Sequence, residues 1–101
     1  MTDKYILDEN GKPAPEPDIV KWGTWYKENE RHAAEDQIGE VRVSTVFLGL
    51  DHSHDGVVPV LWETMIFGGE HNLYQDRYST KEEAIKGHAR AIRLVKRSVT
   101  K

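Results

Sequence analysis

The stretch LGLDHSHDG, residues 48–56, brings two carboxylates and two imidazoles close together: those of Asp51, His52, His54 and Asp55. Because His52 and His54 are two positions apart, an extended chain would point both rings to one side, as metal ligands flanked by carboxylates do. Aspartate and glycine also form turns, and Asp55-Gly56 is a strong hairpin signal. The stretch can therefore be a metal or catalytic site, or the polar tip of a hairpin.

A further histidine favours the hairpin tip. His71 falls in the next predicted loop of the same sheet, and consecutive hairpin loops lie at opposite ends of a sheet. A strand of about ten residues separates those ends by roughly 30 Å. The three imidazoles are therefore not expected to share an ion, and we predict neither a metal site nor a cofactor.

His88 and Glu63 form a second candidate pair. His88 lies at the centre of the apolar face of the predicted last helix, and Glu63 lies within an apolar strand. A buried imidazole without a partner costs roughly 1–3 kcal/mol, so we predict that Glu63 and His88 pair across the core. The same pair, with Arg42 or Arg77 nearby, is the basis of an alternative interpretation as a small ligand-binding or hydrolytic domain. We assign no catalytic residue.

The surface candidates are an aromatic residue and charges of both signs. Trp25 does not lie on the apolar side of the predicted first helix. It is therefore either an exposed anchor for a partner protein or packed against the N-terminal segment. The acidic candidates for partner binding are Asp51, Asp55 and Glu70, and the two loop histidines, His52 and His54, join them.

The net charge of −3 conceals an asymmetry, because residues 81–101 hold seven basic and two acidic residues. Arg90, Arg93 and Arg97 gather on one side of the last helix, where they can meet an acidic partner or phosphates, or simply dock a basic helix on an acidic sheet. No nucleic-acid-binding motif accompanies them, and the overall negative charge weakens non-specific attraction. Nucleic-acid binding is therefore an alternative that we do not favour.

The predicted elements give an α-β-β-β-α order. Overlapping capping boxes, Ser79-x-x-Glu82 and Thr80-x-x-Glu83, mark the start of the last helix. We predict a two-layer α+β fold in which two helices cover one face of a three-stranded antiparallel meander. Its unpaired edges are compatible with a homodimer. The predicted segments are an extended 1–17, a single domain over 18–101 with a first helix at 18–35, and strands at 41–50, 57–67 and 73–78.

Composition indicates a cytoplasmic protein. The chain has 101 residues and no cysteine, which excludes disulfides, thiolate nucleophiles and thiolate metal sites. The longest apolar run, 57–67, is too short to cross a bilayer, so we expect no membrane association. No apolar leader opens the sequence, and secretion is not expected.

Four segments together resemble a family of small uncharacterised proteins encoded by bacteriophages and prophages. The resemblance covers Lys4 to about Val95 and is most specific in the blocks STVFLGLDH and WETMIFGG, with an RYST-x-EEA-x-x-GH helix near the end. It implies an accessory product that acts in the cytoplasm of an infected bacterium. The expected function is non-enzymatic binding of a host or phage protein, with inhibition of a host enzyme or defence system as the expected effect.

Overall fold

Two antiparallel sheets and two helices make up the fold. The computed structural model describes residues 2–99. The elements in chain order are β1 (Tyr5–Leu7), β2 (Pro13–Pro15), α1 (Ile19–Glu28), β3 (His32–Ile38), β4 (Val41–Phe47), β5 (Trp62–Phe67), β6 (Gln75–Tyr78) and α2 (Lys81–Val99). The predicted α+β class is confirmed, although the architecture differs in its details.

The main sheet is a four-stranded antiparallel meander in the order β3-β4-β5-β6. The prediction of three strands is wrong by one, because residues 32–35 were assigned to the first helix and residues 36–38 to the turn that ends it. Instead they pair with β4 through a tight hairpin that joins Ile38 to Val41. Gly39 is the first residue of that turn and has a φ of 59°, a conformation that glycine adopts without steric cost.

Helix α1 ends early because Asn29 caps it. The Asn29 main-chain N–H and its side-chain amide both donate to the Trp25 carbonyl, at 3.0 and 2.9 Å. Asn29 itself is extended, with φ −112° and ψ 144°, so the chain leaves the helix at this point. Asp18 caps the other end by accepting from the N–H groups of Val20 and Lys21. Helix-forming residues after Asn29 therefore join the sheet.

The second predicted strand also begins later than expected. Residues 57–60 lie in the loop between β4 and β5, and the strand begins at Trp62. Pro59 has no N–H to donate to a ladder. The apolar character of Val57 and Val58 suggested a central strand, yet their exposures are 77% and 57%. The edge strand predicted at 73–78 is shorter too, and begins at Gln75.

The N-terminal segment is a hairpin held against the loop after β4. Asp8 forms its turn by accepting from the N–H groups of Asn10 and Lys12, both at 2.9 Å. The Tyr5 N–H then donates to the Gly49 carbonyl at 2.9 Å, and the Asp51 N–H donates to the Asp3 carbonyl at 2.8 Å. The N-terminal segment was predicted to be extended. Its strand β1 is therefore paired with β2 on one side and with the loop after β4 on the other.

Helix α2 provides the second layer. Its predicted capping box is confirmed, because Thr80 Oγ1 accepts from the Glu83 N–H and the Glu83 carboxylate accepts from the Thr80 N–H, both at 3.1 Å. The helix lies on one face of the main sheet and completes two apolar clusters. The buried members are Val41, Val43, Ile66, Ala91 and Val95 in the first cluster, and Phe47, Leu61, Trp62, Tyr78 and Ala84 in the second.

Helix α1 does not pack along the main sheet as predicted. Helix α1 buries none of its residues. It packs on β1 and reaches the main sheet through Trp25, whose ring meets Phe47 edge-on at 5.7 Å. Neither helix in residues 2–99 combines the length and apolar character that crossing a membrane requires.

Candidate binding surface

The loop between β4 and β5, residues 48–61, is organised by its own polar side chains. Asp51 Oδ1 accepts from the N–H groups of Ser53 at 2.8 Å and Val60 at 2.9 Å, which joins the two sides of the loop. At the tip, Asp55 Oδ1 accepts from the Val57 N–H at 3.0 Å, and Gly56 has a φ of 71°. The loop therefore has the polar turn chemistry that the sequence predicted.

These contacts favour the charged form of the Asp51 carboxylate. The Val60 N–H, followed by the Ser53 N–H, lowers the pKa of Asp51 below the ordinary aspartate value. Hydrogen bonds from N–H groups to an ionised carboxylate stabilise the charged form. Asp51 is therefore a structural residue of the loop, with its Oδ1 already engaged.

A concave pocket of about 470 Å³ opens beside this loop and the end of β6. We call it the loop pocket. Its volume falls within the range typical of ligand-binding pockets. Its lining combines hydrogen-bonding groups with aliphatic walls: His52, Ser53, His54, Asp55, Val57, Val58, Val60, Arg77 and Ser79.

Two polar residues of the loop pocket are held in fixed orientations. The Arg77 Nε donates to Glu63 Oε2 at 2.9 Å, and Gln75 donates to the same oxygen at 2.7 Å. The bond through Nε fixes the orientation of the Arg77 side chain. His52 Nδ1 lies 2.8 Å from the Leu50 carbonyl, and a carbonyl only accepts, so Nδ1 carries the proton. In the neutral form of the ring, Nε2 is therefore the acceptor.

Replacing Asp51 by alanine is expected to loosen the loop and lower stability by about 1–2 kcal/mol, because the Val60 and Ser53 N–H groups lose their acceptor. Hydrogen exchange of these two amides measures the effect. Since the folded-state pKa is lowered, the Asp51 contribution is present above the ordinary aspartate pKa and is lost as pH falls through the lower value. Glu9→Gln, in the exposed N-terminal turn, is the control and should leave both amides unchanged.

The predicted Glu63–His88 pair is wrong, because the two residues lie on opposite faces of the sheet. Glu63 faces away from α2 and pairs with Arg77 at 2.9 Å. His88 faces the core, where Nε2 lies 2.8 Å from Asp36 Oδ2 and Nδ1 lies 2.7 Å from Thr45 Oγ1. The alternative of a hydrolytic site built on Glu63 and His88 therefore loses its geometric basis.

His88 is instead the centre of a buried polar network. Asp36 accepts from Nε2–H, and with a neutral ring the Thr45 hydroxyl donates to Nδ1. Thr64 completes the network at 2.5 Å from Thr45. A carboxylate, an imidazole and a hydroxyl in this order resemble a catalytic triad, but Thr45 and Thr64 are both 0% exposed. A substrate cannot reach either hydroxyl, so the network ties β3, β4 and β5 to α2.

A second cavity of about 270 Å³ lies between α2 and the start of β6. We call it the arginine groove. It contains the three arginines predicted to share one side of α2, together with an aromatic and an aliphatic residue. Its lining is Tyr74, Arg90, Arg93, Leu94 and Arg97. The groove is therefore a basic surface with an apolar floor.

The remaining candidates are dispersed. Trp25 is half-buried in the second core cluster with Tyr5 and Leu7, which agrees with packing against the N-terminal segment and not with an exposed anchor. Glu70 is exposed in the β5–β6 loop, at the other end of the sheet from Asp51 and Asp55. The proposed acidic surface is therefore divided between two loops.

Several functional features were missed by sequence reasoning. Val57 and Val58 were predicted to lie in a buried strand because they are hydrophobic, but they are exposed. Pro59 was a signal against a strand at this point. Asp36 was missed because it follows the predicted first helix directly, in a segment expected to be a turn and not a strand. Among residues 2–99, no three side chains of histidine or acid are placed to hold a metal ion together.

Comparisons with known proteins give no match for this chain. No protein-family model matches this chain, and neither the curated proteins nor the solved structures contain a match.

Proposed function

We propose that this protein is a non-enzymatic binding protein whose loop pocket receives a segment of a partner protein. The observation that supports this best is the pair Val57 and Val58, exposed by 77% and 57% on a loop that its own hydrogen bonds hold in shape. Because the loop is already held in one conformation, binding through these exposed apolar side chains costs less conformational entropy. The sequence resemblance adds a context: an accessory protein of a phage or prophage that blocks a host enzyme or defence system in the bacterial cytoplasm.

The polar groups of the loop pocket support binding better than catalysis. Ser53 Oγ already accepts from the Gly56 N–H at 3.1 Å. Within residues 2–99, no hydrogen bond joins Ser53 or Ser79 to a histidine, so neither hydroxyl has the base that a nucleophile requires. The pocket thus offers recognition by hydrogen bonds and apolar contact.

The lining also indicates the chemistry of the partner segment. Val57, Val58 and Val60 provide an aliphatic lining, while Arg77 and His52 provide polar contacts. A guanidinium prefers a carboxylate, with which it forms paired hydrogen bonds. The segment that fits is one in which an aliphatic side chain stands next to an aspartate or glutamate.

The test compares two matched pairs of exposed apolar residues. Val57→Asp/Val58→Asp alters the loop pocket, and Ile19→Asp/Val20→Asp alters a comparable exposed pair at the start of α1. Acidic residues are favourable in the first turn of a helix, so the control variant should fold. Affinity capture from phage-infected bacterial lysate identifies the partner, and titration calorimetry with the purified partner then gives the dissociation constant.

The loop variant is expected to bind the partner at least about 10-fold more weakly, because it places two charges where apolar side chains would be buried by the partner. The α1 variant should bind as the wild type does. Absence of a stoichiometric partner, or equal losses in the two variants, would contradict the proposal. A homodimer that the loop variant disrupts would also contradict it, by making a second copy the occupant.

A further inference from the structure

The arginine groove concentrates positive charge along α2. Arg90, Arg93 and Arg97 are spaced three and four residues apart, so they lie on one side of the helix and span about 10 Å of its length. Arg90 has an acidic neighbour in Asp76, but the distance is 3.8 Å and both side chains are about half exposed. Such an ion pair contributes little and exchanges readily for a stronger anion.

Arg93 is the most available of the three arginines. It is exposed, and within residues 2–99 its guanidinium has no ion pair or hydrogen bond. A guanidinium presents five N–H donors in a planar fork that matches the oxygens of a phosphate group. Arg93 therefore brings unused hydrogen-bonding capacity to the groove.

The aromatic residue of the groove, Tyr74, follows a strained turn. Leu73 has a φ of 71°, in the left-handed region that leucine rarely adopts, and its side chain is 63% exposed. Hydrogen bonds from the Leu73 N–H to the Ile66 carbonyl, at 2.7 Å, and from the Tyr74 N–H to the His71 carbonyl, at 2.9 Å, hold this conformation. The turn places the half-buried Tyr74 in the groove. Backbone strain of this kind is concentrated at functional sites.

We propose that the arginine groove binds the backbone of a single-stranded nucleic acid, with a base stacked on Tyr74. A single strand repeats a phosphate and a planar base at each nucleotide, so it uses the guanidiniums and the aromatic ring together. An acidic peptide would engage the arginines and leave the ring without a stacking partner. A duplex fits less well, because a groove of about 270 Å³ is small for a double helix.

The experiment uses the full chain and fluorescein-labelled single strands, twelve-residue oligo-dT and oligo-U, in anisotropy titrations at about 50 and 200 mM NaCl. Three phosphate contacts predict a salt slope of about −2, so binding should weaken about 20-fold between the two concentrations. Arg93→Gln should weaken binding about 5- to 10-fold at the lower salt concentration and reduce the slope by about 0.7.

The matched control is Lys21→Gln, which removes one exposed positive charge on α1 and should change affinity by less than about twofold. Salt-insensitive binding, absence of binding, or equal effects of the two variants would overturn the proposal. Displacement of oligo-dT by a poly-glutamate peptide of equal charge would also overturn it, by identifying the groove as a surface for acidic proteins. The Val57→Asp/Val58→Asp variant should bind oligo-dT normally, so a failure here is distinguishable from a failure of the proposed function.

Discussion

Substituting Gly87 by alanine is expected to lower the stability of this protein by about 3 kcal/mol, although alanine is the better helix former. Gly87 lies within α2, where the helix passes directly over the Tyr78 ring. A Cβ atom at position 87 would stand 2.0 Å from the Tyr78 hydroxyl oxygen and 2.2 Å from the ring carbon that carries it. The helix or the buried ring must move, and either movement disturbs the second core cluster.

The control for Gly87→Ala is provided by the other helical glycine. Gly23 lies in α1, and a Cβ atom there would meet nothing within 4 Å. Gly23→Ala should therefore raise stability by up to about 1 kcal/mol through helix propensity alone. Thermal unfolding followed by circular dichroism measures both variants, and Gly87→Ala should unfold about 15 °C below the wild type.

The background variant Tyr78→Ala separates the clash from other effects. With the ring removed, Gly87→Ala should become neutral or stabilising, because only helix propensity remains. A persistent loss of stability in that background would show that Gly87 is required for another reason. Burial also raises the pKa of the Tyr78 phenol, which agrees with a ring enclosed by the core.

Helix α2 could be predicted from the sequence because its signals are local. The Thr80–Glu83 capping box and the spacing of Ala84, His88, Ala91 and Val95 lie within the helix, and the structure confirms all of them. The end of α1 could not be predicted in the same way. Helix-forming residues at 32–38 pair with β4, and this pairing depends on the alignment of the two strands and not on intrinsic propensity.

The candidate sites show the same difference between local and non-local information. The loop at 51–56 was correctly read as a polar turn, because each aspartate bonds main-chain groups within a few residues of itself or across the loop. The partner of His88 was predicted wrongly, because the choice between Glu63 and Asp36 depends on which face of the sheet each acid occupies. A strand that was not predicted cannot supply a partner, so the nearest acid in a predicted strand was selected.

For the loop pocket and the arginine groove, the sequence could predict individual charged residues but not the surface that they form together. Arg90, Arg93 and Arg97 were grouped correctly, since they share one helix and its periodicity decides their face. Tyr74 joins them through the fold of the β5–β6 turn, which no periodicity describes. The loop pocket likewise needs the end of β6 beside a loop some 20 residues earlier in the chain.

Replacing His88 by alanine should cost about 3–4 kcal/mol, close to the effect at Gly87 but for a different reason. The substitution leaves a cavity under α2 and removes the group that connects Asp36 to Thr45. Asp36 is 53% exposed, so water can solvate its carboxylate in the variant. The fully buried Thr45 has no such access and keeps only Thr64 as a partner. The loss of stability should therefore come from the buried Thr45 and not from the exposed Asp36.

Two further variants make the His88 prediction decisive. His54→Ala makes the same chemical change on the exposed loop and should alter stability by less than about 0.5 kcal/mol. His88→Gln keeps an amide donor that can reach Asp36, so it should recover part of the stability that alanine loses. Urea unfolding at neutral pH compares the three variants. If His88→Ala and His54→Ala unfolded at the same urea concentration, the buried network would not be what holds β3, β4 and β5 to the helix.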